Sequence, residues 1–150
     1  MVNGRIESAA DIVARECVAV RVRMLNRVIT RIYNAALRPF DLTISQMSIL
    51  VAVTKFGQAK QQDVSQVLDL EKSTLSRDIQ KMKENGWLEV TPGQDARISL
   101  LQVTPSGRRL LKQAFPGWRN AQDRVIEMLG PEQFRSVERM LVTLRGRSFI

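Results

Sequence analysis

Three residues, Asp69-Leu70-Glu71, separate two stretches whose apolar side chains recur at helical spacing. A gap that short forces the two predicted helices, about Gln61–Leu68 and Lys72–Asn85, to turn sharply and pack on each other. On a wheel of 100° per residue, Leu75, Ile79 and Met82 fall in one narrow sector of the second helix. They face Val64, Val67 and Leu68 of the first. Ser73, Arg77, Gln80, Lys81 and Glu84 fall on the opposite side, with Thr74 beside them. Gly86 closes this second helix.

After Gly86 the period changes. Leu88 and Val90, then Ile98, Leu100 and Val103, read as two short strands around the turn-forming run Pro92-Gly93-Gln94-Asp95. Thr104-Pro105 then opens another helix, with a capping hydroxyl and a proline in the first turn. That helix is expected to run toward Phe115 and stop at Pro116-Gly117. Gly130-Pro131-Glu132 opens a last amphipathic helix carrying Phe134, Val137, Leu141 and Leu144.

Upstream, residues 5–38 contain no proline or glycine and read as one long helix ended by Pro39. Its apolar positions run Ile6, Val13, Cys17, Val20, Met24, Val28 and again Leu25, Ile29, Ile32, Ala36, in three- and four-residue steps. More than 30 residues is long for a helix inside a small globule, so part of it is expected to pack against a partner. A second helix starts at Thr43, where Thr43 and Gln46 form a capping box. Its apolar face continues at Leu50 and Val53, and Gly57 is its stop.

Composition narrows the function classes. Histidine is absent, which removes the commonest general base and the commonest metal ligand. A single cysteine excludes an internal disulfide and a thiolate zinc cluster. No Gly-rich phosphate loop or carboxylate cluster appears, so neither an enzyme nor a metal or cofactor site is expected. Arg15, Glu16, Arg21 and Arg23 break the early apolar stretch. No targeting or membrane-spanning segment is therefore expected, and cytoplasm is the default compartment.

The net charge of +8 favours a polyanionic partner. It does not locate one, because basic side chains outnumber acidic ones eight to four over residues 1–59, nine to seven over 60–112 and six to four over 113–150. Individual residues carry the assignment instead. A short helix held at a fixed angle by its predecessor, with small hydroxyls and an arginine near its free N-terminal end, suits the major groove of DNA. Arginine can donate two parallel bonds to guanine, and the helix N-terminus can hold phosphate. Arg97, just past the hairpin turn, would reach an adjacent minor groove. Asp95 would bond to Arg97 or fix the turn. Against these stands a protein-interaction module of the same shape, favoured by the modest charge of residues 60–112.

The order of these residues resembles the MarR family of bacterial regulators. The likeness rests on Leu42-Thr43 and Gln46, Gln62-Asp63-Val64-Ser65, Leu70-Glu71-Lys72-Ser73-Thr74-Leu75-Ser76-Arg77, and Asn85-Gly86-Trp87-Leu88. It continues in Asp95-Ala96-Arg97 and Val103-Thr104-Pro105-Ser106-Gly107. It implies a winged helix-turn-helix, mainly α with a small β-hairpin wing, carrying long N- and C-terminal dimerisation helices. Residues 1–40 and 113–150 would dimerise, and 41–112 would bind double-stranded DNA at a near-palindromic operator. The two-fold would set two recognition helices about 34 Å apart. DNA contacts are expected from Ser73, Thr74, Ser76, Arg77, Lys81, Asp95 and Arg97. Ala96, Val90 and Lys60 stand where the family often has a second wing base, an arginine and a capping hydroxyl, which makes this wing less cationic.

The resemblance also implies a small-molecule effector pocket where the first helix meets the DNA-binding lobe. The arginine ladder Arg23, Arg27, Arg31 supplies candidate residues there, chiefly Arg23 and Arg27, although such ladders are commonly a solvated face. Cys17 is the one redox candidate, since some relatives sense peroxides through a cysteine in this helix. Its place on the apolar stripe favours a packing role. Trp87, Trp118 and Tyr33 are read as packing anchors.

Overall fold

The computed structural model describes residues 8–95 and 97–146. Among the described residues, seven α-helices accompany a three-stranded antiparallel sheet: α1 (Ala9–Glu16), α2 (Val18–Leu37), α3 (Ile44–Phe56), β1 (Ala59–Lys60), α4 (Gln61–Leu68), α5 (Lys72–Glu84), β2 (Leu88–Pro92), β3 (Ser99–Val103), α6 (Pro105–Leu129) and α7 (Pro131–Arg145). Ile6 and Ala96 lie outside the described residues.

The helix expected over 5–38 is two helices. Ser8 caps α1 through a capping box with Asp11, and the helix breaks at Cys17, whose backbone is extended (φ −64°, ψ 108°). No glycine or proline marks the break. The Arg21 side chain covers it instead, donating to the carbonyl of Cys17 at 3.0 Å and to that of Arg15. Cys17 is therefore a half-buried hinge residue and not part of a continuous buried stripe.

Pro116-Gly117, expected to stop the helix, does not interrupt it: α6 runs through the pair from Pro105 to Leu129. An interior proline forfeits one hydrogen bond and costs a helix about 3 kcal/mol. Packing offsets that cost. Tyr33 of α2 is buried with Ala121 and Val125 of α6, and Gly117 lets the two backbones approach so closely that a Cβ there would lie 3.0 Å from the Ala36 carbonyl oxygen. The Pro-Gly pair is a packing site, and the expected boundary between residues 112 and 113 falls inside one helix.

Elsewhere local signals and structure agree. Thr43 and Gln46 form the capping box of α3, with bonds of 3.1 and 3.2 Å. The chain leaves α4 through a left-handed Asp69 (φ 54°), and Ser65 fastens the turn, its carbonyl accepting the Leu70 N–H at 3.0 Å and its hydroxyl donating to the Leu70 carbonyl at 2.8 Å. The hairpin pairs Leu88 with Val103 and Pro92 with Ser99. The strand β1, not expected from the sequence, adds to its other edge by pairing Ala59 with Leu101.

A main core unites α2 to α6 with the sheet, and a second, smaller cluster holds Tyr33, Ala121 and Val125. Leu50, Val53, Val64, Leu75, Met82, Leu88 and Leu101 are all fully buried in the main core. The arms are different. Neither α1 nor α7 has a buried residue, and Val20, Met24, Leu25 and Val28 of α2 are exposed, as are Val137, Met140 and Leu144 of α7.

Candidate nucleic-acid interface

The helix α5 presents two chemically distinct faces. Leu75, Ile79 and Met82 are buried in the main core that also holds Val64 and Val67 of α4, and the principal packing neighbours of α5 are α3 and β2. This fixes the roll of α5 and turns Ser73, Thr74, Ser76, Arg77, Gln80, Lys81 and Glu84 outward, all of them exposed. Arg77 lies along its own helix, its Nε donating to the Ser73 carbonyl at 3.2 Å. The guanidinium's terminal nitrogens can thus reach outward from the first two turns. Glu71 caps α5 with backbone only, its side chain making no cap bond. First-turn amides of such a helix are donors for an anion.

Ser76 has a second task. Its hydroxyl accepts from Gln61 Nε2 at 2.8 Å, joining the start of α4 to the middle of the exposed face. Gln61 also borders a cleft of about 210 Å³ shared with Lys60, Gln62, Arg97, Ile98 and Ser99. The structure therefore brings Arg97, Lys60 and Gln61 to one cleft, and Gln61 to Ser76. Gln61 and Lys60 were not singled out as site residues by sequence reasoning, because their nearness to Arg97 depends on β1 pairing with β3.

The wing tip is built by Asp95. Its Oδ1 accepts the Arg97 N–H at 3.0 Å and its carbonyl accepts the Ile98 N–H at 2.8 Å, while Gly93 N–H bonds to the Ile98 carbonyl at 2.7 Å. Asp95 thus fixes the turn through the backbone of Arg97, and the Arg97 side chain is exposed.

A different kind of site lies between α3 and α6. Ile44, Met47, Ser48 and Val51 from α3 and Leu111, Phe115 and Trp118 from α6 line a predominantly apolar groove of about 280 Å³. Phe115 and Trp118 stack with centroids 5.6 Å apart, and the Arg119 guanidinium lies 5.4 and 5.2 Å from the two ring centres. Trp118 packs on both core clusters and also lines this groove, while Trp87 packs on the main core. Tyr33 is buried and donates to Gln122 Oε1, and burial raises its phenol pKa above 10.0. Arg23 and Arg27 are exposed on α2 and do not line the groove.

Residues 40–98, which span α3 through the wing tip, match the model of the MarR family. That matched segment, about two fifths of the chain, is of MarR type. Among its MarR-type relatives, the uncharacterized HTH-type transcriptional regulator YwoH of Bacillus subtilis is 32% identical over 83 residues, 55% of this chain and 61% of YwoH. The aligned stretch thus spans less than two thirds of that relative's length. The M. tuberculosis transcriptional regulator MosR, in a crystal structure with DNA, superposes with a TM-score of 0.76 at 28% identity, covering 87% of this chain and 98% of MosR. Bordetella bronchiseptica BpsR, whose DNA binding is regulated by 6-hydroxynicotinic acid, superposes with a TM-score of 0.77 at 21% identity, covering 88% and 96%. The mainly helical architecture with its antiparallel hairpin is the winged helix-turn-helix of this family, with α4 and α5 as the helix pair and β2–β3 as the wing. Among the described residues no single helix is long and apolar enough to cross a membrane.

Proposed function

We propose that this MarR-type chain is a sequence-specific double-stranded DNA-binding regulator of transcription, acting as a homodimer and as a ligand-responsive repressor, without enzymatic activity and in the cytoplasm. The observation that carries this reading is the exposed face of α5. Arg77 and its small neighbours Ser73 and Thr74 stand clear of the core while Leu75, Ile79 and Met82 anchor the helix beneath them. Base reading is assigned to Arg77, with Ser73, Thr74, Ser76 and Lys81 beside it on the phosphates. Arg97 is assigned to the neighbouring minor groove on a turn that Asp95 shapes. MosR in its complex with DNA supports the assignment by similarity.

The dimer is supported by the arms. A soluble chain seldom leaves stripes such as Val20, Met24 and Val28 of α2 and Val137, Met140 and Leu144 of α7 in water. Residues 1–40 and 113–150 are accordingly assigned to a two-fold interface, and 41–112 to DNA. The groove between α3 and α6 is the better effector site than Arg23 and Arg27, since apolar and aromatic side chains line most of it. An effector there acts by favouring a geometry in which the two recognition helices no longer match the groove spacing.

Selection of bound fragments from a random duplex pool tests the reading. The expected product is a near-palindrome whose affinity falls steeply with salt, as phosphate contacts require. Absent or salt-independent duplex binding contradicts it and favours a winged helix that binds protein.

A further inference from the structure

The first turn of α3 is gripped from two sides. From α2, the Asn34 side-chain oxygen accepts the Ile44 N–H at 2.8 Å. From α5, Asp78 accepts from Ser45 Oγ at 2.8 Å and from Gln46 Nε2 at 3.4 Å. Gln46 is buried, and its remaining polar groups are engaged by Thr43 in the capping box, so its amide is held toward Asp78. The carboxylate also faces the positive end of the α3 dipole.

Asp78 follows Arg77 directly and sits at the edge of the apolar sector of α5. Apolar contacts of Leu75, Ile79 and Met82 are non-directional and tolerate a small roll of the helix. Hydrogen bonds do not, because they weaken steeply with angle. The two bonds of Asp78 therefore define the roll more sharply than the core does. Ile44, in the same turn, lines the apolar groove. That turn thus touches the groove, α2 and the recognition helix together.

We propose that Asp78 is a positioning residue. Through Ser45 and Gln46 it ties the roll of α5, and with it Arg77, to the first turn of α3, and through Asn34 to α2. This rests on the DNA-binding reading above.

The test compares the full-length protein with Asp78→Ala, Asp78→Asn, Ser45→Ala and the Ser45→Ala, Asp78→Ala double variant. Each is measured on the selected operator and on a random duplex at one salt concentration, with a melting temperature. Asp78→Ala is expected to lose about tenfold on the operator and less than about twofold on random duplex, a loss of the size expected for hydrogen bonds to a charged group. Asp78→Asn restores most of the loss, since its carbonyl can accept from Gln46 while its amide donates to the Ser45 hydroxyl. The double variant is no weaker than Asp78→Ala. Unchanged operator affinity, equal losses on both duplexes, or losses of Ser45→Ala and Asp78→Ala that multiply would overturn the proposal. If Asp78→Ala melts below the assay temperature, Ser45→Ala decides by the same operator-to-random ratio. An unaltered protein that binds no duplex overturns the DNA-binding reading and this proposal with it. Full operator binding by Asp78→Ala overturns this proposal alone.

Discussion

Gln61 at the start of α4 donates its side-chain amide to the Ser76 hydroxyl of α5 across 2.8 Å. That bond fastens the two helices of the helix-turn-helix on their outer side, while on the inner side Val64 and Val67 of one and Leu75 and Met82 of the other enter the same core. Gln61 also shares a cleft with Arg97 of the wing. Recognition helix, preceding helix and wing are in this way one continuous surface.

Removing that fastening tests its weight. Gln61→Ala is expected to lower stability by about 0.5–1.5 kcal/mol, the net value of one intramolecular hydrogen bond. Urea unfolding checks it. The loss should vanish in a Ser76→Ala background, and a loss that persists there assigns the effect to something other than this bond.

Gly107 offers a sharper stability prediction. A Cβ at this position would press into the Trp87 carbonyl oxygen and approach Val103 Cγ1 to 2.9 Å. Thr104 locks the same junction, its N–H bonding to the Trp87 carbonyl at 3.1 Å and its hydroxyl to the Gly86 carbonyl at 2.6 Å. Gly107→Ala should therefore destabilise by about 1–3 kcal/mol through overpacking against backbone that has no freedom to move. A midpoint of denaturation equal to that of the unaltered protein contradicts the packing described.

Tyr33 gives a pH dependence. It is the one tyrosine of the chain, so tyrosinate absorbance reports it alone. Burial raises its pKa above the ordinary 10.0. The folded state then holds the phenol proton more tightly than the unfolded chain does. This contribution to stability is complete below pH 10 and is lost as pH rises through the folded pKa. The folded protein should titrate above 10, and Tyr33→Phe should lose stability less steeply than the unaltered protein over that alkaline range. A midpoint at or below 10 sinks the account.

The arms predict an assembly. Val20 is 44% exposed and Leu144 85% exposed in the single chain. Val20→Glu or Leu144→Glu should weaken the dimer in sedimentation measurements, because a charge buried in an apolar interface is costly, with the melting of the DNA-binding lobe little changed. Sedimentation as a monomer by the unaltered protein would remove the dimer from the reading.

What was legible in the sequence was whatever local chemistry decides. The Thr43–Gln46 capping box, the three-residue turn after α4 and the hairpin at Pro92–Asp95 each carry their own signal, and each is where it was expected. The faces of α5 followed from periodicity alone. The break at Cys17 did not, because no glycine or proline marks it and only the side chain of Arg21, one turn on, covers it. Nor did the passage of α6 through Pro116, which depends on α2 lying against Gly117. For the candidate site the same division holds. Ser73, Thr74 and Arg77 declare themselves on a helical wheel, whereas Gln61, Asn34, Ser45 and Asp78 acquire their places only when separate elements are brought together.

The central claim is that the Arg77 face of α5 reads DNA while Arg97 holds it. The most direct test is operator affinity, at one fixed salt concentration, of Arg77→Ala, Arg97→Ala and the double variant. Arg77→Ala should cost about 1–3 kcal/mol and relax preference at the base it contacts. Arg97→Ala should weaken binding with little change in base preference and reduce the salt slope by about one. Full operator affinity in the double variant would contradict the assignment.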